Sequence, residues 1–309
     1  MTARLERKVR TTVRELLVIA NAKAGSAVDD AVEAVSGVLS ARATIEISRP
    51  DGPEDLVEAL RGRAGREVVV LGGDGSLHLA VQALYDLDDL DATVIGLIPM
   101  GTGNDFARTM ELPLEPAEAA QVVLDGSPRQ LDLLVDGNGG VVVNAVHVGV
   151  GAEAGKEAKD LKPKLGKLAY AAGAAVAGAK VEGWLIGVVV DGETINEPDA
   201  RVLMIGIANG TSVGGGTQLA PDARPDDGLA DVVVSRSLGP LARVGYAAKM
   251  AVGSHGDRDD VTTVRGREIR IAGDPVPVNT DGELEDSITE RSWRVLPGAW
   301  QLIAPPPAP

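Results

Sequence analysis

The chain has 309 residues, of which 45 are acidic and 30 are basic, so its formal net charge is −15. A nucleic-acid-binding surface needs clustered basic residues, and this balance therefore excludes DNA or RNA as an expected partner. Cysteine is absent, which excludes disulfides and thiolate metal sites and is typical of a cytoplasmic protein. A chain of this length is expected to fold as two domains.

Short apolar runs alternate with helix patterns over the first part of the chain. We predict a strand at residues 16–20, a helix at 28–39 and a second strand at 44–47. Apolar runs of this kind, separated by amphipathic segments, are typical of buried parallel strands with crossover helices. The apolar stretches at 16–20 and 168–179 are too short to predict a secretory signal or a membrane-spanning helix.

Two further strand patterns each end in a glycine-rich turn. A valine-rich run precedes Gly-Gly-Asp-Gly-Ser at residues 72–76, and a second apolar run precedes Pro-Met-Gly-Thr-Gly-Asn-Asp-Phe at 99–106. Ligands of parallel sheets collect at the carboxyl ends of the strands, where both turns fall. Glycine lets the backbone approach a ligand closely. Asp74 and Asp105 add carboxylates that could bind a metal ion coordinated by phosphate oxygens. Two ordinary tight turns are the alternative.

The two turns together resemble the signature of the diacylglycerol kinase catalytic domain. That family includes bacterial lipid kinases and sphingosine and ceramide kinases, and the resemblance covers most of the chain. It implies ATP as co-substrate, Mg²⁺ as cofactor and a lipid hydroxyl as acceptor. It also implies the residues that hold the nucleotide, namely Asn21, Ser48, Gly72, Gly73, Asp74, Gly75, Ser76, Gly101, Thr102, Gly103 and Asn104.

The turn at residues 21–26 departs from the family pattern Asn-Pro-x-Ser-Gly. Asn21 and Gly25 are retained, but alanine replaces both the proline and the serine. A basic residue is common just after the glycine in the family, and here Lys23 is the nearby residue that could supply its charge.

From residue 129 onward the pattern changes to short strands punctuated by Asp-Gly turns, which are typical of antiparallel sheets. Strands are predicted at residues 131–135, 141–148, 185–190, 202–208, 229–234, 268–271 and 293–296. Helical insertions are predicted at about 152–181 and 238–252.

These patterns predict an α/β fold followed by a β fold. We expect a Rossmann-like parallel-sheet nucleotide-binding domain at residues 12–128 and an antiparallel, sandwich-like β-rich domain at 129–304, with the active site in the cleft between them. Residues 1–11 and 305–309 are expected to be flexible. Basic residues cluster at 4–14 and 156–167, where they either form solvated surfaces or contact anionic lipid.

The segment 219–229 resembles a magnesium loop that bacterial lipid kinases carry away from the site of chemistry. The resemblance implies that the Asp227 side chain and the carbonyls of Arg224 and Leu229 bind Mg²⁺, an ion that prefers oxygen ligands. A plain Asp-Asp-Gly hairpin turn is the alternative. The three histidines, His78, His147 and His255, lie far apart in the sequence, so no zinc site is predicted.

The segment 280–283, Thr-Asp-Gly-Glu, follows a strand pattern and resembles the element whose glutamate reaches into the family's cleft. The resemblance implies that Glu283 is the base that accepts the proton of the lipid hydroxyl. It also implies that Asp74 holds the catalytic Mg²⁺, with Asp105 further from the ion. Taken alone, the segment is a hairpin turn with a solvated acid.

The sequence therefore predicts an ATP- and Mg²⁺-dependent lipid kinase that phosphorylates diacylglycerol, a sphingoid base or a related lipid at a membrane surface. We expect a cytoplasmic protein that visits the bilayer peripherally, and we leave a homodimer open. Two other functions stay open: a kinase for a soluble acceptor, related to the NAD kinases, and a non-catalytic nucleotide- or lipid-binding protein.

Overall fold

The N-terminal half of the computed structural model alternates strands with helices, and the model as a whole describes residues 13–20, 26–150, 152 and 182–305. Four parallel strands lie in the order β2-β1-β3-β4. In chain order the elements are β1 (Arg14–Ala20), α1 (Ser26–Ser40), β2 (Ala43–Ser48), α2 (Pro53–Arg61), β3 (Glu67–Gly72), α3 (Asp74–Asp86), β4 (Val94–Pro99), α4 (Asp105–Thr109) and α5 (Pro116–Asp125).

Both faces of this parallel sheet are covered, which explains why β1, β3 and β4 are apolar over most of their length. Leu17 and Ile19 of β1 belong to one core cluster, whereas Leu16 and Val18 belong to a second cluster. Successive side chains of a strand point to opposite faces, so one apolar run supplies both cores.

The C-terminal half is built mainly from antiparallel strands. Its elements are β5 (Ser127–Asp136), β6 (Val141–Val142), β7 (Ala145–Gly149), β8 (Trp184–Val190), β9 (Glu193–Asn196), β10 (Arg201–Val202), β11 (Met204–Ala208), β12 (Ser212–Val213), β13 (Thr217–Gln218), β14 (Ala230–Ser235), α6 (Pro240–Ala251), β15 (Val261–Gly266), β16 (Glu268–Thr280) and β17 (Glu283–Ala304). The predicted fold class, a parallel α/β part followed by a β sandwich, is confirmed.

The long last strand joins the two halves. The order along the main sheet is β15-β14-β11-β7-β16-β17-β4-β3-β1-β2. Near its end β17 runs parallel to β4, with Gln301 opposite Val94 and Leu302 opposite Ile95. The same strand pairs antiparallel with β5, which begins at Ser127 and so continues across the predicted boundary at residue 128. The division into domains at this residue stays a prediction.

Several predicted strands differ in extent from the observed ones. The strand predicted at 141–148 is interrupted between β6 and β7, because the amides of Val143 and Asn144 donate to a carboxylate instead of a neighbouring strand. The strand predicted at 268–271 continues to residue 280 through register shifts between Ala272 and Val278, a stretch whose two prolines conceal the strand pattern.

Some predictions concern residues outside those that the structure describes. They include the helical insertion at 152–181 apart from Ala152, the basic clusters apart from Val13 and Arg14, the turn at 21–25 with Asn21, and the chain ends apart from Pro305. The other insertion is confirmed as α6. Among the helices that are described, none combines the length and apolar character that crossing a membrane requires.

Candidate active site

The two glycine-rich turns pack directly against each other at the carboxyl ends of β3 and β4. The Met100 amide donates to the Gly72 carbonyl at 2.9 Å. A Cβ atom on Gly73 would lie 2.8 Å from the Cα atom of Gly101, and one on Gly101 would lie 2.6 Å from the Cα atom of Gly73. Only glycine fits at both positions, so the close approach of the two turns depends on these residues.

Asp74, the first residue of α3, links the first turn to α4. Its carboxylate oxygens accept hydrogen bonds from the Phe106 amide at 3.0 Å and the Asp105 amide at 3.1 Å. Burial raises the pKa of the Asp74 carboxyl above its usual range, and the charges of Asp105 and Asp281 act in the same direction against these two hydrogen bonds. A cation at this point would relieve the crowding of negative charge.

Asn104 shapes the second turn from within. Its backbone is left-handed, with φ 52°. Its side-chain oxygen accepts from the Gly101 amide at 2.8 Å, and its side-chain nitrogen donates to the Gly101 carbonyl at 2.8 Å. The Asn104 side chain thereby closes the turn and leaves Gly101 and Thr102 exposed.

Asp105 is buried and holds the β12–β13 hairpin against the second turn. One carboxylate oxygen accepts from Ser212 Oγ at 2.9 Å and from the Gly216 amide at 2.8 Å, and the other accepts from the Gly215 amide at 2.8 Å. Both oxygens are thus engaged by the protein. These contacts give Asp105 a positioning role in joining the two halves of the chain.

Asp281 lies in the two-residue turn between β16 and β17. Asp281 and Gly282 both have positive φ, 48° and 102°, as tight hairpins require. The buried Asp281 carboxylate accepts from the amides of Val143 at 2.6 Å, Asn144 at 2.9 Å and Ala145 at 2.9 Å. The amides of Val143 and Asn144 are the ones that interrupt the strand predicted at 141–148.

His78 completes the set of Asp281 partners, with its Nδ1 atom 3.0 Å from Asp281 Oδ2. Burial lowers the pKa of the imidazole, but the hydrogen bond and charge of Asp281, together with the charge of Glu283, outweigh it and leave the pKa above its ordinary value. From the sequence alone, zinc binding was the only role considered for His78. His78 follows Asp74 by four residues, a spacing that places both side chains on one face of α3. This spacing could have predicted that His78 lies near the site.

A closed circuit of side chains starts and ends on α3. Asp74 holds the amides of α4, and Asp105 of α4 accepts from Ser212 Oγ. The Ser212 carbonyl accepts from the Asn144 side chain at 2.9 Å, and the Asn144 amide donates to Asp281, which contacts His78 of α3. The circuit connects residues from both halves of the fold around the start of α3.

Glu283 begins β17, directly after the turn that carries Asp281. Its side chain is exposed, and it is close enough to His78 to raise the pKa of the imidazole. The structure therefore brings Asp74, His78, Asp281 and Glu283 to the same end of α3, although nothing near Glu283 in the sequence requires this.

A pocket of about 220 Å³ opens beside the first glycine turn. Its walls include Ile19 and Leu71 at the ends of β1 and β3, Leu56 of α2, and Ser76 and Leu79 of α3. Ser48 ends the neighbouring strand β2 and pairs with Ile19. The pocket thus lies at the carboxyl edge of the parallel sheet, where the sequence predicts the nucleotide.

The loop predicted to hold a structural Mg²⁺ lies elsewhere in the sandwich. Asp227 forms an ion pair with Arg265 of β15, which is six places from β4 in the sheet order, and accepts from the Leu229 amide at 3.1 Å. The Arg224 side chain lies 3.5 Å from Asp226. Arg265 also lies 3.4 Å from Asp231, whose pKa is raised by burial and by the charges of Asp227 and Asp222, so one arginine is shared by several acids in this region. In the described parts of the chain, no group of three or more His, Cys, Asp or Glu side chains is arranged to hold a metal ion.

Comparison with known proteins identifies the class of protein that has this fold. Residues 15–135 match the model of the diacylglycerol kinase catalytic domain, and residues 144–304 match that of the YegS C-terminal NAD kinase beta sandwich-like domain. A solved diacylglycerol kinase structure from Bacillus anthracis has the same fold, with a TM-score of 0.77 and 24% identity over 95% of this chain and 98% of that one.

The sequence relatives define the family more closely. A Pseudomonas aeruginosa protein with the name "Probable lipid kinase YegS-like" is 31% identical over 306 residues, which cover 94% of this chain and 97% of the relative. A Xanthomonas campestris protein of the same name is 34% identical over 74% of each chain. The chain belongs to the YegS-like lipid kinases of the diacylglycerol kinase family.

Proposed function

We propose that this protein transfers the γ-phosphoryl group of ATP to the hydroxyl of a lipid, either diacylglycerol or a sphingoid or related lipid. The observation that supports the proposal is the circuit of side chains around α3, which ties the turn that carries Glu283 to the helix that follows the first glycine turn. Phosphoryl transfer depends mostly on positioning and charge neutralisation. The arrangement supports the positioning, and the N-terminus of α3 together with a bound divalent cation would supply the charge neutralisation.

The glycine turns and the start of α3 are the proposed triphosphate site. Helix N-termini attract anions because their first amides point outward and the helix dipole is positive there. Gly75, Gly101 and Thr102 are exposed at this point and can face a ligand. The pocket between Ser76 and residues 50–53 would take the nucleobase against its apolar walls.

A divalent cation that arrives with the triphosphate would reduce the crowding of negative charge at Asp74. Asp74 is the carboxylate we assign to it, because the pKa of Asp74 is raised by burial and by neighbouring negative charges. Bound Mg²⁺ would neutralise the charge of the transferred phosphoryl group. Asp105 would act through position, by holding the β12–β13 hairpin in place.

Glu283 is the proposed general base. The lipid hydroxyl oxygen forms a bond to the γ-phosphorus, the bond from that phosphorus to the bridging β–γ oxygen breaks, and ADP leaves. The hydroxyl proton passes to the Glu283 carboxylate, which is exposed and free to meet a substrate. Asp281 and His78 hold the turn that carries this glutamate.

Labelled ATP provides the test. The protein is incubated with labelled ATP, Mg²⁺ and either a panel of lipid alcohols in mixed micelles or soluble acceptors such as NAD. We expect a labelled phospholipid from the wild type and about 10²–10⁴-fold less from Glu283→Gln. Label on NAD alone would favour the soluble-acceptor kinase, and ATP or lipid binding without turnover would favour a non-catalytic protein. The cytoplasmic location and the homodimer stay predictions.

A further inference from the structure

The pocket beside the first glycine turn lies where the order of the parallel strands reverses. The chain places β2 on one side of β1, and then β3 and β4 on the other side. Ile19 near the end of β1 and Leu71 near the end of β3 both line the pocket. In open parallel sheets, small ligands bind in the crevice outside the strand ends at such a reversal. The topology therefore indicates a ligand site here without reference to the glycine motifs.

The walls of this pocket are mostly apolar. Leu56 of α2, which belongs to a core cluster, and Leu79 of α3 stand on its two sides. Among the described residues that line it, Asp51 and Ser76 carry polar side chains. Ser76 lies in the first turn of α3, next to the proposed triphosphate site, whereas Asp51 lies in the loop between β2 and α2. Asp51 is thus the charged side chain that the pocket offers to a ligand.

The loop that carries Asp51 is fixed, but its carboxylate is not engaged. The Asp51 amide donates to Asp55 Oδ2 at 3.2 Å, and a proline stands on each side of the Asp-Gly pair and restricts the backbone. The nearby Arg49 donates to Asp29 Oδ1 at 2.7 Å instead of pairing with Asp51. In the part of the chain that the structure describes, no group hydrogen-bonds to the Asp51 carboxylate. A bound ligand can therefore use it.

The chemistry of Asp51 suits the sugar of a nucleotide. Asp51 is exposed, so it lies at the mouth of the pocket and not among the apolar side chains that would contact the base. The ribose joins the base to the triphosphate and has two hydroxyl donors, whereas an ionised carboxylate only accepts hydrogen bonds. Such charge-assisted hydrogen bonds are stronger than neutral ones. In dinucleotide-binding α/β folds an acidic residue binds the ribose in this way.

We propose that Asp51 determines the preference of this protein for ribonucleotides, because its carboxylate accepts hydrogen bonds from the ribose hydroxyls of bound ATP. This inference rests on the proposed function, which places the nucleoside in the pocket. The apolar walls contact the base and cannot distinguish one sugar from another, so the selectivity for ribose comes from the carboxylate. A nucleotide that lacks a contacted hydroxyl binds more weakly.

Calorimetry with ATP, 2′-deoxy-ATP and 3′-deoxy-ATP tests this assignment. Each nucleotide is titrated with Mg²⁺ into the wild type, Asp51→Ala and the control Glu54→Ala, which changes an exposed acid in the first turn of α2 that is not part of the pocket wall. We expect the wild type and the control to bind ATP about tenfold more tightly than at least one deoxy analogue, the usual contribution of one hydrogen bond to a charged group. Asp51→Ala should bind all three about equally.

The ratio of the affinities separates this contact from other effects of the substitution. ATP and its deoxy analogues have the same base and triphosphate, so a change in the fold or in the repulsion between Asp51 and the phosphates alters their affinities alike. If Asp51→Ala keeps the wild-type ratios, or if the wild type does not distinguish ATP from either analogue, the proposal is wrong. Loss of the ratios in Glu54→Ala as well would also overturn it.

Inosine triphosphate, which lacks the exocyclic amine of adenine, tests the base as the competing donor. If Asp51→Ala changes the ratio of ATP to inosine triphosphate affinity and leaves the deoxy ratios unchanged, Asp51 contacts the base and the ribose assignment is wrong. Ribose selectivity that depends on Asp51, without lipid phosphorylation in the labelled assay, would reject the kinase and retain this contact. A wild type that binds no nucleotide would reject both.

Discussion

The Nδ1 atom of His78 lies 3.0 Å from Oδ2 of Asp281, although 203 residues separate the two in the chain. The Asp281 side chain is 1% exposed and also accepts three backbone amides. This pair fixes helix α3, which begins with Asp74, to the turn that places Glu283. This imidazole is therefore one of the links between the proposed phosphate site and the proposed base.

Replacing His78 with alanine should destabilise the protein. The substitution leaves a buried Asp281 oxygen without its side-chain partner, which costs about 1–3 kcal/mol. Urea denaturation of both proteins measures the loss. Leu79→Ala is the control, because Leu79 is 43% exposed and its removal should change stability by less than about 0.5 kcal/mol. Equal stability of His78→Ala and the wild type would show that the pair does not support the fold.

The stabilisation from His78 should depend on pH in one direction. The pKa of His78 in the folded protein is raised above its ordinary value of 6.5, so the folded state binds the proton more tightly than the unfolded chain. The contribution is fully present below the unfolded pKa and is lost as the pH rises through the folded pKa. The free energy of unfolding of the wild type minus that of His78→Gln should therefore fall as the pH is raised from 5.5 to about 8.5. If this difference in the free energy of unfolding grows over the range, the pKa of His78 is lowered in the folded protein and not raised.

Asp74→Asn should abolish phosphoryl transfer in a folded protein. Asparagine keeps the shape of the side chain and one acceptor oxygen for the amides of α4, but it cannot offer a charged group to a cation. Thermal melting checks the fold and labelled product checks the turnover. Asp86→Asn, an exposed change at the other end of α3, serves as the control. Near-normal turnover by folded Asp74→Asn would remove Asp74 from the site.

Glu283→Gln should lower turnover by about 10²–10⁴-fold, the usual contribution of a general base, while ATP affinity changes little. The triphosphate contacts that we propose come from the glycine turns and α3. Calorimetry measures ATP binding, and the labelled assay measures turnover on the same preparation. Glu285→Gln, two residues along the same strand, should stay within a few-fold of the wild type. Turnover of Glu283→Gln within that range would mean that another group accepts the proton.

Asp227→Ala should lower the melting temperature and reduce its rise with added Mg²⁺, if the loop at 224–229 binds the ion as the sequence resemblance implies. A ligand that binds only the folded state stabilises it by mass action. The structure pairs Asp227 with Arg265, so an ion here must compete with an arginine. If the melting temperatures of both proteins respond equally to Mg²⁺, Asp227 does not bind the ion and only pairs with Arg265. Asp226→Ala is the matched control, because its carboxylate pairs with Arg129.

The parts of the site that the sequence predicts are the ones set by local chemistry. Apolar runs followed by Gly72 and Gly101 identify two strand ends, and parallel strands bring such ends together. The contacts of His78 with Asp281 and of Asp105 with Ser212 join segments more than 100 residues apart, and no local pattern specifies them. The family resemblance predicts that Glu283 lies in the cleft, but only the structure shows that it lies near α3.

The extent of β17 was hidden for a different reason. Residues 283–292 are rich in acidic, hydroxyl and basic side chains, because one face of the strand meets solvent. The apolar residues of the strand fall in two short runs, 293–296 and 299–304, which Pro297 and Gly298 separate. Its pairing with β4 is a long-range contact that strand propensity does not encode.

The position of β17 has a consequence for how the protein is made. The ribosome releases β1 to β4 early, but the neighbour that covers the free side of β4 arrives only with Gln301 and Leu302. Until then the nascent chain presents an unpaired, largely apolar strand edge, the kind of surface that attracts other chains. Translation that stops before these residues should therefore yield fragments that aggregate or recruit chaperones, even though they contain the complete pair of glycine turns.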